Sequence, residues 1–158
     1  MMKWLLAIVV LAASLIPALA QAAPVYVIRH LERAPGESDP SLSERGAARA
    51  EQLAQLLAGA NIKAIFATAT KRAQQTGAPL AQRLGIPVTT YNPRDVDALA
   101  TAVTAAGGPV LIVGHSNTVA GLVARFGGDK PAELTEQDYG SLFVVHPGVE
   151  QVNRIELN

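Results

Sequence analysis

Short apolar runs alternate with helix-patterned stretches along this chain, and that alternation is what most restricts its fold. Val25 to Arg29 is a β-branched and aromatic run suited to a buried strand. A loop rich in Pro, Gly, Ser and Asp follows, from Ala34 to Ser41, and Ser43 then offers an N-cap with Glu44 in the first turn. Ala50, Leu53, Ala54 and Leu57 recur at i, i+3, i+4, i+7, the spacing of an amphipathic helix, with Gly59 as its terminator. Ala64 to Thr68 reads as a second strand. Thr70 to Leu84 is helical in pattern and closes at Gly85, with Pro79 predicting a kink or two shorter helices.

Pro87 to Tyr91 is edge-like, with proline at its first position, where it costs no ladder bond. Asp95 to Ala105 predicts a helix closed by Gly107-Gly108, and Val110 to Val113 the most apolar strand. Ser116 or Asn117 would cap a helix running to Phe126, ended by Gly127-Gly128. Leu142 to His146 and Gln151 to Leu157 flank a Pro147-Gly148 turn, the pattern of a hairpin. The order β-α-β-α-β-α-β-α-β-β predicts a mainly parallel sheet covered by helices, with an antiparallel element at its end.

The first residues stand apart from this pattern. Met1-Met2-Lys3 is a positive n-region, Trp4 to Ile16 an apolar stretch, and Ala18-Leu19-Ala20 or Ala20-Gln21-Ala22 a small-residue cleavage site. That is the layout of a secretory signal peptide over residues 1–22, ahead of one domain at 23–158. The alternative, an uncleaved anchor, fits less well, because the apolar stretch is short for a membrane span. The expected location is therefore periplasmic or secreted, with no stable membrane span after cleavage. With no cysteine, the chain has neither a disulfide nor a thiolate metal site, and packing alone must stabilise it. The formal net charge is zero, and one unit negative once Lys3 is removed, which argues against nucleic-acid partners.

Two of the three histidines fall where chemistry is expected. His30 ends the first strand and His115 follows the strand Val110 to Val113 by one glycine. In open α/β sheets, ligands bind in the crevice beyond the carboxyl ends of the strands. Arginine binds phosphate through a planar, permanently charged fork, and histidine can carry a phosphoryl group covalently. Arg29, Arg72 and the two imidazoles thus point to chemistry on an anion. His146, before its Pro-Gly turn, reads as structural, and Ser43, Asp39 and Gly46 as loop or capping residues.

Four segments, in order, carry a resemblance. Arg29-His30 with Glu32 resembles the R-H-x-E start of the histidine phosphatase superfamily, the phosphoglycerate-mutase-like proteins. Asp39 to Gly46 is similar to its D-x-x-L-[ST]-x-x-G segment, Ala67 to Thr76 to its S-S-P-L-x-R-A-x-Q-T segment, and Gly114 to Thr118 to its second-histidine motif. The resemblance spans Val25 to about Gly127. It implies a three-layer α/β/α sandwich around a mainly parallel, mixed sheet, of phosphoglycerate-mutase-like fold. It further implies a metal-independent phosphatase with no cofactor, acting on a small phosphorylated substrate. His30 would be the nucleophile, with Arg29, Arg72 and His115 binding phosphate and stabilising the transition state.

Departures from the family pattern set further expectations. Leu31 replaces the glycine usual after the first histidine and is expected to narrow the approach beside His30. Ala67, Ala69 and Thr70 replace parts of the serine-rich turn, leaving Thr68 as a substitute donor. The acid-phosphatase branch places an aspartate directly after the second histidine, where this chain has Ser116, and the mutase branch's glutamate lies in an insertion absent here. Glu32 and Asp95 are then the candidate proton donors. A weak donor would favour phenol-like or acyl-phosphate leaving groups. Two other readings stand: a phosphate-binding pseudo-phosphatase with little turnover, and a serine hydrolase. The latter would use Ser116 in an incomplete G-x-S-x-G elbow with Asp129 or Asp138 and His146.

Overall fold

The computed structural model describes residues 22–158, so the expected leader, Ala22 apart, lies outside the described residues. The elements run β1 (Val25–Arg29), α1 (Glu44–Leu57), β2 (Ala64–Ala67), α2 (Lys71–Leu84), β3 (Val88–Thr90), α3 (Val96–Ala105), β4 (Val110–Gly114), α4 (Val119–Arg125), β5 (Ser141–Val145) and β6 (Asn153–Glu156). They follow the predicted order. The six strands form one mixed sheet, ordered β3-β2-β4-β1-β5-β6. β3, β2, β4 and β1 are mutually parallel, while β5 and β6 are antiparallel to their neighbours.

The chain first steps outward across the sheet, from β1 to β2 to β3, and then returns to β4. Crossovers of one hand place their helices on opposite faces when that direction reverses. Accordingly Leu53 of α1 and Leu80 of α2 pack with Ile28, Ile65 and Leu111 on one face. Leu99 of α3 and Leu122 and Val123 of α4 pack with Val27, Phe66 and Ile112 on the other. Alternate residues of each central strand thus feed two cores, as the two-residue strand period requires. β6 is exposed along its length, and its Arg154 and Glu156 guard that open edge with charge.

Some local expectations give way to tertiary packing. Pro79 does not divide α2, which runs unbroken from Lys71 to Leu84. Thr76, Gly77, Leu80 and Ala81 bury the helix on both sides of the proline, and that burial outweighs the roughly 3 kcal/mol a helical proline costs. α1 ends at Ala58 and the chain turns at Asn61, whose φ is 54°, so Gly59 is not its terminator. α4 begins after Thr118 rather than from a Ser116 or Asn117 cap, because Thr118 Oγ1 binds the His115 backbone N–H at 2.9 Å.

Candidate active site

The pairing of β1 with β4 brings the two histidines together. Arg29 lies opposite Gly114 in the parallel register, and the His30 N–H donates to the Gly114 carbonyl at 2.9 Å. The next residue on each strand is a histidine, and the rings sit 5.3 Å apart, edge to face. From this point β1 leads to α1 on one face and β4 to α4 on the other. That divergence opens the crevice expected where neighbouring connections part. A cavity of about 720 Å³ occupies it, with Arg29, His30, Arg72, His115, Ser116 and Glu136 in its wall.

His30 is 3 % exposed, and its Nδ1 lies 2.8 Å from the Leu31 carbonyl. A carbonyl only accepts, so Nδ1 carries the proton and Nε2 the lone pair. Arg72 Nε donates to that Nε2 at 3.1 Å. Burial pushes the His30 pKa down to about 4, aided by Arg72, Arg29 and His115 and opposed by the Leu31 carbonyl. The imidazole is therefore neutral at pH 7, with its lone-pair nitrogen directed at arginine. His115 is also shifted down, by burial first and then by the two arginines. Its Nε2 lies 2.8 Å from Thr68 Oγ1.

Arg72 comes from the first turn of α2 and is steered by Asp39, whose carboxylate lies 3.4 Å from its Nη1. Asp39 also accepts from the Lys71 N–H at 3.1 Å, capping a helix whose own N-cap, Thr70, makes no side-chain capping bond. Asp39 is thus more than a loop residue. Arg29 is 2 % exposed and turned toward the segment before β5. Its Nη1 donates to the Thr135 and Asp138 carbonyls at 2.7 and 2.9 Å, and its Nη2 reaches Glu136 and Tyr139, each at 3.2 Å. The guanidinium also stacks 4.0 Å from the centre of the Tyr139 ring. Its buried Nε has no hydrogen-bond partner among the described residues.

Both candidate proton donors fall outside the cavity wall. Glu32 is drawn back to α1 by Arg49 at 2.5 Å and Arg45 at 3.3 Å. Its main chain is held as well, because the Ser43 N–H donates to the Glu32 carbonyl at 2.8 Å. Gly46, inside α1 rather than in a loop, lies so close to that carbonyl that a Cβ there would overlap it. Asp95 caps α3 through the Ala98 N–H at 3.0 Å and borders a different cavity with Phe66 and Tyr91.

Leu31 does not narrow the site either: its side chain is fully buried in the α1–α2 core. Its main-chain N–H donates to Thr76 Oγ1 at 3.0 Å. Thr68 is spent on His115, and Thr70 rather than Thr68 borders the cavity. The serine-hydrolase triad is not assembled. Val145 pairs with Val25, so His146 stands at the far end of the sheet from Ser116. Asp138 accepts from the Thr135 N–H at 2.6 Å, and Ser116 Oγ donates to Glu136 Oε1 at 2.8 Å.

Glu136 is the carboxylate that sequence motifs do not reveal. Its Ser116 bond and then the Arg29 charge hold its carboxyl below the usual carboxylate range. The signal that locates it is pairing, not motif: β5 lies antiparallel to β1, so the residues just before Ser141 arrive beside Arg29.

Comparison with known proteins agrees with this fold. A sequence model of the histidine phosphatase superfamily (branch 1) matches residues 25–93. No curated protein matches the chain in sequence. Among solved structures, the protein histidine phosphatase SixA complexed with tungstate is 20% identical, with a TM-score of 0.66 over 84% of this chain and 96% of its own. YhfR of Bacillus stearothermophilus is 19% identical, with a TM-score of 0.64 over 85% and 96%. The α-ribazole phosphatase of Shigella flexneri is 17% identical, with a TM-score of 0.64 over 86% and 96%. At such identities the structures establish the fold, and the matched segment holds the Arg29-His30 strand end and Arg72. Over residues 25–93 this chain is similar to the histidine phosphatase superfamily, and its fold is that of these solved phosphatases.

Proposed function

We propose that this protein is a phosphatase that hydrolyses a small phosphomonoester through a phosphohistidine on His30. The observation that carries the reading is the state of His30. It is a neutral imidazole whose Nδ1–H is fixed on the Leu31 carbonyl and whose Nε2 lone pair meets Arg72 in a cavity walled by a second arginine and His115. A phosphoryl group arriving there meets guanidinium forks around its oxygens while Nε2 attacks phosphorus. Such preorganised positive charge lowers the barrier by several kcal/mol, on the order of what an oxyanion site supplies. Arg72 Nε, 3.1 Å from that lone pair, is placed to meet the oxygens of a phosphoryl group that His30 attacks.

The same arginines supply the charge a metal ion would otherwise bring, so we read the reaction as metal-independent and cofactor-free. Chelation should then leave the rate unchanged. His30→Ala should abolish turnover and the incorporation of acid-labile phosphate, and full activity in that variant would sink the mechanism. The leader pattern at 1–22 supports export to the periplasm or medium, and N-terminal sequencing of the exported protein should begin after Ala20 or Ala22.

A second reading has one observation in its favour. Four of the contacts made by the Arg29 fork are to the chain itself, as in a pocket that binds phosphate weakly and turns over little. Vanadate or phosphate binding without hydrolysis of any member of a phosphomonoester panel would select it.

A further inference from the structure

Building on the phosphatase reading, we propose that Glu136, held by Ser116, is the acid and base of the reaction. Its carboxyl gives a proton to the departing alcohol oxygen and takes one back from the hydrolytic water. The acid-phosphatase pattern has an aspartate where this chain has Ser116. Here the Ser116 hydroxyl donates to Glu136 Oε1 at 2.8 Å, so a carboxylate from 20 residues further on occupies the neighbourhood the aspartate would have filled. The other oxygen, Oε2, lies 3.2 Å from Arg29 Nη2. A carboxyl touching the phosphate-binding arginine is within reach of the ester oxygen of a phosphate held there, directly or through one water. Glu136 borders the cavity, whereas Glu32 and Asp95 do not. Its side chain is 66% exposed, so it exchanges protons with solvent between turnovers.

The Ser116 hydrogen bond first, then the Arg29 and Arg33 charges, favour the charged form of Glu136, with the neutral His30 ring nearby. A bound phosphomonoester reverses that balance, since it takes over the Arg29 donors and brings negative charge beside the carboxyl. The step then balances. His30 Nε2 forms the N–P bond, the P–O bond to the alcohol breaks, and the alcohol leaves with the Glu136 proton. In the second half, water bonds to phosphorus and its proton returns to Glu136. The N–P pair goes back to Nε2, releasing hydrogen phosphate.

The test compares leaving groups on the full chain. Glu136→Gln should lower kcat/KM for an alkyl phosphate such as glycerol 2-phosphate by about 100-fold, the low end for a lost general acid. It should lower kcat/KM for p-nitrophenyl phosphate, whose leaving group needs no proton, by no more than several-fold. Ser116→Ala should show the same contrast in weaker form, and Glu133→Gln, on the same segment but paired with Lys130, should show none. Equal losses on the two substrates, or no loss on either, would overturn the assignment. So would tighter phosphate binding with unchanged alkyl turnover, which would make Glu136 a plug on Arg29. If the unsubstituted protein hydrolysed neither substrate and formed no phosphohistidine, the phosphatase reading itself would fall, and the acid with it.

Discussion

His30 shows how burial and one hydrogen bond set the chemistry of a side chain. The Leu31 carbonyl selects the tautomer, and desolvation keeps the ring neutral far below its ordinary value. An NMR titration should find His30 unprotonated at pH 6, with a midpoint about 4, and His115 also shifted down from its ordinary value. A midpoint near 6.5 for His30 would contradict the burial. Arg72 depends on shape as much as charge, since its Nε meets His30 while its Nη1 is held by Asp39. Arg72→Ala should cost about 100- to 1000-fold in kcat, the loss typical of one transition-state donor, and Arg72→Lys should restore little because a point charge cannot make both contacts.

At the scale of elements, the turn from β1 into α1 does most to hold His30 in place. After His30 the chain is pinned three times. The Leu31 N–H meets Thr76 of α2, the Glu32 carboxylate meets Arg49 of α1, and the Glu32 carbonyl lies against Gly46. The third contact demands glycine, since any Cβ would strike backbone that cannot move aside. Gly46→Ala should therefore destabilise the fold by about 1–3 kcal/mol, as overpacking does, and lower kcat by displacing the His30 turn. Urea denaturation and single-turnover kinetics would check both effects, and a variant as stable and active as the parent would contradict the packing. Ser43→Ala removes the cap bond to the Gly46 N–H and a 3.3 Å hydroxyl bond to the Glu32 carbonyl, which the Ser43 N–H still holds at 2.8 Å, so it should cost about 1 kcal/mol in the same measurement and leave kcat near the parent value.

For the molecule as a whole, a neutral buried histidine links stability to pH. Between the unfolded value near 6.5 and the folded value of about 4, the unfolded chain binds a proton that folded His30 does not. Stability therefore rises with pH across that window and falls on acidification. Between pH 7 and 4.5 the His30 contribution to that loss should be about 2–3 kcal/mol. Urea midpoints at the two pH values should move closer together in His30→Asn, and an unchanged difference would show that His30 is not the source.

Much of this was legible in the residues. The two-residue period of the strands, the helical spacing of Ala50, Leu53, Ala54 and Leu57, and the turn glycines are local properties, and they laid out the element order. Arg29-His30, Arg72 and His115 were legible because each stands at a strand end or the start of a helix. What no local pattern could supply was which strands are neighbours. The β1–β4 register sets the histidines side by side, the α1 contacts draw Glu32 away, and Asp95 is spent on a helix cap. The antiparallel β5 delivers Glu136 to Arg29 from a segment with no motif of its own. Sequence alone determined which elements form and which side chains lie near their ends, because helix and strand periods act over a few residues. Which carboxylate reaches the site was decided only by long-range pairing, which joins residues more than a hundred apart.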